Sequence, residues 1–167
     1  MSAITPKQAG GMNFCAFLDM IGWSEGTTTS PHTLNDGYDV IVNGVDGSPD
    51  IFHDYDKHPN ITVLVSRRSG LKSTAAGRYQ ILNRYAKAYI KQLDLPDFGP
   101  LSQDYIALQM IRECGAYDYI RCGYIQDAIY MCRSRWASFP GANYAGQNSH
   151  PMPVLAGKFA ELVKAYR

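Results

Sequence analysis

Glu25 is the carboxylate whose position says most about possible chemistry in this chain of 167 residues. It shares one face of a predicted helix with Phe14, Leu18 and Ile21, because residues three and four apart lie on the same side of a helix. Apolar neighbours and the negative end of the helix dipole both disfavour an anion, so we expect a raised pKa for Glu25. A carboxyl group protonated near neutral pH can act as a general acid. Spacing alone leaves a second interpretation open, a glutamate solvated at a helix end.

Other carboxylates follow this helix, and one of them would be needed for ordinary hydrolysis of a glycosidic bond. Asp39 lies in a β-rich stretch, and Asp54 and Asp56 lie near the next turn. Acidic residues in loops are most often solvated, so the sequence leaves the catalytic role of each one open. Asp36, next to a glycine, is typical of a turn.

Residues 72–80 (KSTAAGRYQ) form a second segment with chemical potential, and we expect them to lead from a loop into the start of a helix. Gly77 would let the backbone approach a ligand closely, while Tyr79 and Gln80 offer a stacking ring and a neutral amide. These groups suit a sugar, which is bound by hydrogen bonds and aromatic faces. The same residues also fit an ordinary capped helix start with no ligand. Residues 139–144 (FPGANY) form a loop of similar character.

Metal and cofactor chemistry finds no support in the sequence. The four histidines have no zinc-ligand spacing, and there is no glycine-rich phosphate loop, so we expect neither a metal nor a cofactor. The four cysteines, at positions 15, 114, 122 and 132, also lack the two-residue spacing of a zinc or redox motif. We expect them to be free thiols that pack as small hydrophobic residues.

Composition bounds the class of protein. Lysine and arginine number 16 against 15 acidic residues, which argues against a dedicated nucleic-acid binder. The 46% hydrophobic and 19% charged residues fit an ordinary globular protein, and we expect a single domain over residues 1–167. No stretch approaches the roughly 18 apolar residues of a membrane span. The N-terminus lacks the pattern of a signal peptide, so we expect synthesis in the cytoplasm.

The arrangement of elements predicts an α+β domain with two unequal lobes. Residues 1–12 are expected to be an irregular lead-in, followed by the helix that ends near Gly26. About residues 27–70 predict a small antiparallel β lobe, with short strands at 38–42, 51–52 and 62–65 and a tight turn at 43–44. Helical periodicity then returns: we expect a helix begun near Ser73 or Thr74 and ended before residue 96, and others at 102–114, 125–136 and 155–166.

Eight ordered blocks make the chain similar to the phage lambda endolysin (lambda lysozyme) family. They are AFLDM (16–20), WSEGT (23–27), GYDVIV (37–42), KSTAAGRYQ (72–80), SQD (102–104), ALQ (107–109), WAS (136–138) and PGA (140–142). They occur in the family's order and at nearly its spacing, over about residues 13–147. The segment from 43 to 60 is longer than its counterpart, which would alter the lip of a substrate groove.

The resemblance implies a lysozyme-like fold with a cleft between two lobes, and a lytic transglycosylase that acts on the MurNAc–GlcNAc β-1,4 bond of peptidoglycan. Glu25 falls on the family's catalytic glutamate. The substrate-binding positions that we expect are Ser73, Gly77, Tyr79, Gln80, Asp39 and Tyr144. The partner would be the glycan strand, without nucleic acid or membrane insertion. We also expect a monomer that reaches the periplasmic wall through a holin-type pore.

Two alternatives stay open. In a hydrolytic muramidase, Asp39 or another loop carboxylate would help water to attack the sugar. In a catalytically silent wall-binding module, the fold would be kept without the reaction. The WSEGT block speaks against the second alternative, because a binding module does not need a buried acid.

Overall fold

The structure is a computed structural model, which describes residues 1–47, 50–142 and 149–167. The helices of this part of the chain are α1 Pro6–Ala9, α2 Met12–Ser24, α3 Asn83–Gln92, α4 Pro100–Glu113, α5 Tyr117–Cys122, α6 Ile125–Cys132 and α7 Met152–Lys164. Two short strands, β1 Val63–Leu64 and β2 Lys72–Ser73, pair antiparallel with Val63 opposite Ser73. The chain divides into two compact units: Met1–Glu25 with Ala107–Arg167, and Gly26–Ile106.

Helix α1 corrects the prediction of an irregular lead-in over residues 1–12. The Thr5 hydroxyl accepts from the backbone N–H of Gln8, and the Gln8 side chain accepts from the backbone of Thr5, which makes a capping box. Pro6 occupies the first turn, where its missing N–H costs no helical hydrogen bond. One short helical turn is therefore stable at a place where the sequence lacks any longer periodicity.

Helix α2 is the central helix of the first unit. The sequence predicted a single buried stripe, but Phe14 to Leu18 are all buried, so the helix is covered around its whole circumference. Even the carboxylate of Asp19 is buried, and it accepts from the Ser2 backbone N–H and the Tyr166 hydroxyl, both at 2.5 Å. The helix packs against α1, α5 and α7. Its last residue is Ser24 and its C-terminal cap is Glu25, close to the predicted end near Gly26, which has a φ of +75°.

Residues 136–139 pack onto α2 within the same unit. The ring of Phe139 meets the ring of Phe17 edge-on at 6.2 Å, and Trp136 lies 5.8 Å from Phe139. All three rings are almost fully buried. Aromatic pairs of this kind stabilise a core beyond the area that they bury. They fix the backbone of Ser138 relative to the end of α2.

The second unit, Gly26–Ile106, is organised around buried polar groups of α4. The hydroxyl groups of Tyr38 and Tyr79 both donate to Asp104, at 2.7 and 2.5 Å. The Gln103 amide donates to the backbone oxygens of Tyr38 and Phe98, at 3.0 and 2.9 Å. These bonds satisfy groups that would be costly to bury alone, and they fix the loops that carry Tyr38 and Tyr79.

The predicted β lobe is less regular than expected. Among its described residues, 27–47 and 50–70 with the segment that follows, only β1 and β2 are strands. The segment 38–42 contributes single bridges from Val40 to Ile51 and from Ile41 to Ala76. The tight turn predicted at 43–44 is replaced by a turn in which Gly47 donates to Gly44 at 3.0 Å. β-rich composition predicted extended backbone here, but the length of regular pairing depends on distant partners.

The start of α3 is a further correction. The helix begins at Asn83, not near Ser73 or Thr74, because Ser73 lies in β2 and the following residues form turns and bridges. The hydroxyl of Thr74 nevertheless accepts from the backbone N–H of Asn83 at 3.2 Å. The threonine therefore satisfies one backbone donor at the N-terminus of α3, although it lies nine residues earlier in the chain.

The other helices follow the predicted order with shifted ends. Helix α4 starts at Pro100 rather than at Ser102, whose hydroxyl donates to Asp97 at 2.7 Å. Helix α6 ends at Cys132 instead of continuing to residue 136, and α5 was not predicted as a separate helix. Of the helices that the structure describes, none combines the length and the apolar character that crossing a membrane requires.

Candidate active site

Glu25 is the C-terminal capping residue of α2, and its carboxyl group is held by Ser138. The Ser138 hydroxyl donates to Oε1 of Glu25 at 2.6 Å. The backbone N–H of Ser138 donates to the same carboxyl group. The two residues are 113 positions apart, and both lie in the unit that contains α2. Two donors from one residue fix the direction in which the carboxyl group points.

A second serine extends this contact into the core. Ser24 Oγ lies 2.9 Å from Ser138 Oγ, and it also lies 2.9 Å from the carbonyl oxygen of Ile21, to which it can donate. Both serine residues are only 6% exposed, so water is largely excluded from the bonds between them. The result is a chain of hydroxyl groups that runs from the last turn of α2 to Glu25.

Burial raises the pKa of Glu25 above its ordinary value of 4.5. The hydrogen bonds from the hydroxyl and the backbone of Ser138 act in the opposite direction, because they stabilise the carboxylate. Loss of solvation is the larger effect. The side chain is half-buried, so the proton is retained at higher pH while part of the residue stays accessible. This agrees with the raised pKa that the sequence predicted.

An aromatic and cationic cluster flanks the end of α2. The His150 ring lies 4.8 Å from the Trp23 ring, and its Nε2 is 3.2 Å from the Ser24 carbonyl oxygen. The ammonium group of Lys158 lies 5.5 Å from the centre of the Trp23 ring. These contacts tie residues 149–167 to the backbone that carries Glu25. A half-buried acid on a backbone fixed in this way can give a proton to a bound substrate and take one back.

Asp39 has both carboxylate oxygens engaged by its own loop. The Thr33 hydroxyl donates to Oδ1 at 2.5 Å, and the Leu34 backbone N–H donates to Oδ2 at 2.7 Å. The residue is 3% exposed. Of the other two candidate carboxylates, Asp54 accepts from the backbone N–H of Asp56 at 2.8 Å in an exposed turn. These contacts favour a loop-stabilising role for Asp39 and Asp54.

Gly77 and Tyr79 occupy packed positions within the second unit. Gly77 has a φ of +79°, and a Cβ there would overlap the Gln103 side chain, so the close approach that glycine permits is to the protein itself. Tyr79 is 1% exposed, which corrects the expectation of an open stacking ring. Its hydroxyl is committed to Asp104. Both residues therefore shape the segment 72–80.

Ser73 and Gln80 keep part of their side chains accessible. Ser73 is half-buried in β2, and its hydroxyl accepts from the backbone N–H of Ala75 at 3.1 Å. Gln80 is also half-buried, with a φ of +49°, and its amide nitrogen donates to the Gly77 carbonyl oxygen at 3.1 Å. The remaining candidate, Tyr144, lies outside the described residues.

Ser138, Ser24 and His150 are the site residues that sequence reasoning missed as such. Ser138 lies in the block WAS and Ser24 in the block WSEGT, but neither block indicates which distant residue its serine would contact. His150 was considered only as a metal ligand. Hydrogen-bond partners more than a hundred residues apart leave no periodic signal in one sequence. Among the described residues, no group of three or more potential metal ligands occurs.

Comparison with known proteins places this geometry in a family. A family model described as Endolysin matches residues 15–164. The endolysin of Escherichia phage P2 is 56% identical over 146 residues, covering 86% of this chain and 88% of the relative. The endolysin of Escherichia phage lambda is 52% identical over 147 residues, covering 87% and 88%.

Solved structures agree with the sequence comparison. A bacteriophage lambda lysozyme complexed with a chitohexasaccharide matches with a TM-score of 0.82 and 47% identity, over 97% of both chains. A second structure, lysozyme from bacteriophage lambda, gives a TM-score of 0.78 at 46% identity over the same shares. Together with the half-buried acid at the end of α2, these matches define a lysozyme-like α+β protein.

The chain belongs to the endolysin family. The resemblance seen in the eight sequence blocks is thereby confirmed, as is the predicted fold class. Its lysozyme and endolysin relatives make it a glycan-cleaving enzyme of the bacterial cell wall.

Proposed function

We propose that the protein cleaves the MurNAc–GlcNAc β-1,4 bond of peptidoglycan by non-hydrolytic transglycosylation, with Glu25 as the only acid and base. The observation that carries the proposal is the half-buried carboxyl group of Glu25, whose pKa is raised by burial and whose orientation is fixed by Ser138. A carboxyl group with a raised pKa holds its proton to higher pH, which suits it to protonate a leaving oxygen.

The reaction has two proton transfers at the same carboxyl group. Protonated Glu25 donates to the glycosidic oxygen as the bond to C1 of the muramic sugar breaks. The resulting carboxylate accepts the proton of the C6 hydroxyl of that sugar, which attacks C1 and closes a 1,6-anhydro ring. An attacking group within the same sugar has a high effective concentration, so a second carboxylate is not needed to activate water.

The surroundings of Glu25 suit both steps. Among the described residues, Ser138 supplies the hydrogen bonds that bear on the acidity of Glu25, and no second carboxylate is a cause of its shift. In the first step, burial favours the protonated form of the carboxyl group, which donates the proton. In the second step, the Ser138 hydroxyl and backbone N–H stabilise the carboxylate that has formed. The engaged oxygens of Asp39 favour this route over a hydrolytic one.

The proposed ligand is an oligosaccharide strand of peptidoglycan. A related lambda lysozyme has been solved with a chitohexasaccharide, which supports glycan binding by this chain. We assign direct contact with the glycan to Ser73 and Gln80, whose side chains are partly accessible. We assign it also to Tyr144, which lies outside the described residues. Gly77, Tyr79 and Asp39 act indirectly, since they hold the shape of the segments around them.

The site of action follows from the substrate. We propose that the protein is made in the cytoplasm of the host bacterium and reaches the periplasmic wall through a holin-type pore. A monomer is sufficient for the reaction, because one carboxyl group performs both proton transfers.

Mass spectrometry of the soluble fragments released from purified peptidoglycan tests the proposal. Muropeptides that end in 1,6-anhydroMurNAc are expected, and Glu25→Gln should release none while it unfolds at a temperature no lower than that of the parent protein. Hydrated reducing ends would establish a muramidase instead. Binding to sacculi without release of fragments would establish a silent wall-binding module. Appreciable activity of Glu25→Gln would remove Glu25 from the catalytic role.

A further inference from the structure

Two of the four cysteine residues lie against each other, away from Glu25 in sequence but in the same compact unit. Cys114 directly follows α4, and Cys132 is the last residue of α6. Their side chains are hydrogen-bonded to one another. The two sulfur atoms are therefore adjacent in a structure in which both cysteines are free thiols.

The neighbouring residues hold the two helix ends together independently of the thiols. The Arg135 backbone N–H donates to the Cys132 carbonyl oxygen at 2.9 Å, while its guanidinium lies 3.3 Å from Glu113. Gly115 packs so closely on Met131 that a Cβ would lie 3.0 Å from its terminal methyl group. The residues on either side of Cys114 thus contact the residues on either side of Cys132, which makes the pairing a property of the fold.

The two thiols differ in accessibility and in acidity. Cys114 is half-buried, whereas Cys132 is 0% exposed. The hydrogen bond from Cys132 and the contact with Arg135 lower the pKa of Cys114 to about 7, although burial opposes them. The same hydrogen bond and burial raise the pKa of Cys132. Near neutral pH a thiolate therefore forms on Cys114, the sulfur that a solute can reach, in preference to Cys132.

We propose that Cys114 and Cys132 form an oxidation site, in which a low-molecular-weight disulfide converts the two thiols into an internal disulfide. The Cys114 thiolate attacks one sulfur of the reagent, forms a mixed disulfide and expels a thiolate. Cys132 then gives up its proton and attacks the Cys114 sulfur, which expels the second thiolate. Two protein thiols are oxidised, one reagent disulfide is reduced to two thiols, and the two thiol protons pass to these products.

The cross-link would join the end of α4 to the end of α6. A disulfide reduces the freedom of the unfolded chain between its cysteines, so the oxidised protein should unfold at a higher temperature than the reduced one. A protein that is made in a reducing compartment and then meets oxidising conditions would gain this stabilisation after it has folded.

The test uses the full chain treated with oxidised glutathione at pH 7.5, then quenched and alkylated. Peptide mapping by mass spectrometry without reduction should find a linked peptide pair that contains Cys114 and Cys132. In Cys132→Ala the reaction should stop with glutathione on Cys114. The exposed Cys122 is an internal control, since it reports whether the reagent reacts with an accessible thiol of the same protein. Stable glutathione on Cys114 of the parent protein, or a pair that links other cysteines, would overturn the proposal.

A second measurement separates acidity from proximity. Alkylation of Cys114 by iodoacetamide should already be fast at pH 7, and Arg135→Gln should slow it severalfold at pH 7 but little at pH 9.5, where an ordinary thiol is ionised. Alkylation of Cys122 should show the pH dependence of an ordinary thiol in both proteins. Equal pH dependence of Cys114 and Cys122 in the parent protein would remove the basis for Cys114 as the attacking sulfur.

Discussion

Replacement of Ser138 by alanine removes one hydrogen bond to the carboxyl group of Glu25, the proposed catalytic acid, and the hydroxyl contact with Ser24. The hydroxyl donates to Glu25 at 2.6 Å from a residue that is 6% exposed. A hydrogen bond to a charged group contributes about 1.5–3 kcal/mol. Because the Ser138 backbone N–H still donates to the carboxyl group in the variant, we take the lower end of that range.

The lost hydrogen bond stabilised the carboxylate, so the variant should hold its proton to higher pH. At about 1.4 kcal/mol for each factor of ten, the alkaline limb of the profile of kcat/KM against pH should move upward by about one pH unit. The plateau rate should fall severalfold, because a weaker acid gives up its proton less readily. The assay is the loss of turbidity of purified peptidoglycan between pH 4 and pH 9.

Two further variants control for structural damage. Ser138→Thr keeps the hydroxyl group and should restore the alkaline limb of the parent protein. Ser24→Ala removes a hydroxyl that contacts Ser138 at 2.9 Å but not the carboxyl group, so a smaller shift in the same direction is expected. A lower rate in Ser138→Ala with an unchanged pH profile would refute the reasoning, since it would make Ser138 a packing residue only.

Three other substitutions test the remaining assignments. Because the pKa of Glu25 is raised in the folded state, the parent protein loses stability as pH rises from about 4.5 and Glu25 ionises. Glutamine does not ionise, so Glu25→Gln should be increasingly more stable than the parent protein as pH rises. Thermal unfolding at several pH values checks this, and a pH-independent difference would contradict it. Asp39→Asn should cost about 1.5–3 kcal/mol of unfolding free energy but still yield anhydro products, whereas a folded, inactive variant would favour hydrolysis. Gly77→Ala should cost about 2–4 kcal/mol, because the residue has a positive φ and meets the Gln103 side chain. Its unfolding temperature should fall by roughly 4–16 °C, and an unchanged value would mean that the loop adapts.

The sequence by itself determined the features that depend on local chain geometry. The spacing of Phe14, Leu18 and Ile21 predicted the helix that ends in Glu25, and Gly26 marked its end. The apolar neighbours of Glu25 also predicted the direction of its pKa shift. These predictions succeed because helical periodicity and the effect of burial on a charge act over a few residues.

Tertiary structure alone decided which distant groups meet. Ser138 reaches Glu25 across 113 positions, and the hydroxyl of Tyr79 is buried on Asp104 although its surrounding letters suggested an open ring. Thr74 caps α3 from nine residues away, which no local rule for helix starts would predict. The physical reason is common to all three. A buried polar side chain forms a hydrogen bond with the group that the packed core places next to it, and that packing depends on the whole chain rather than on adjacent residues.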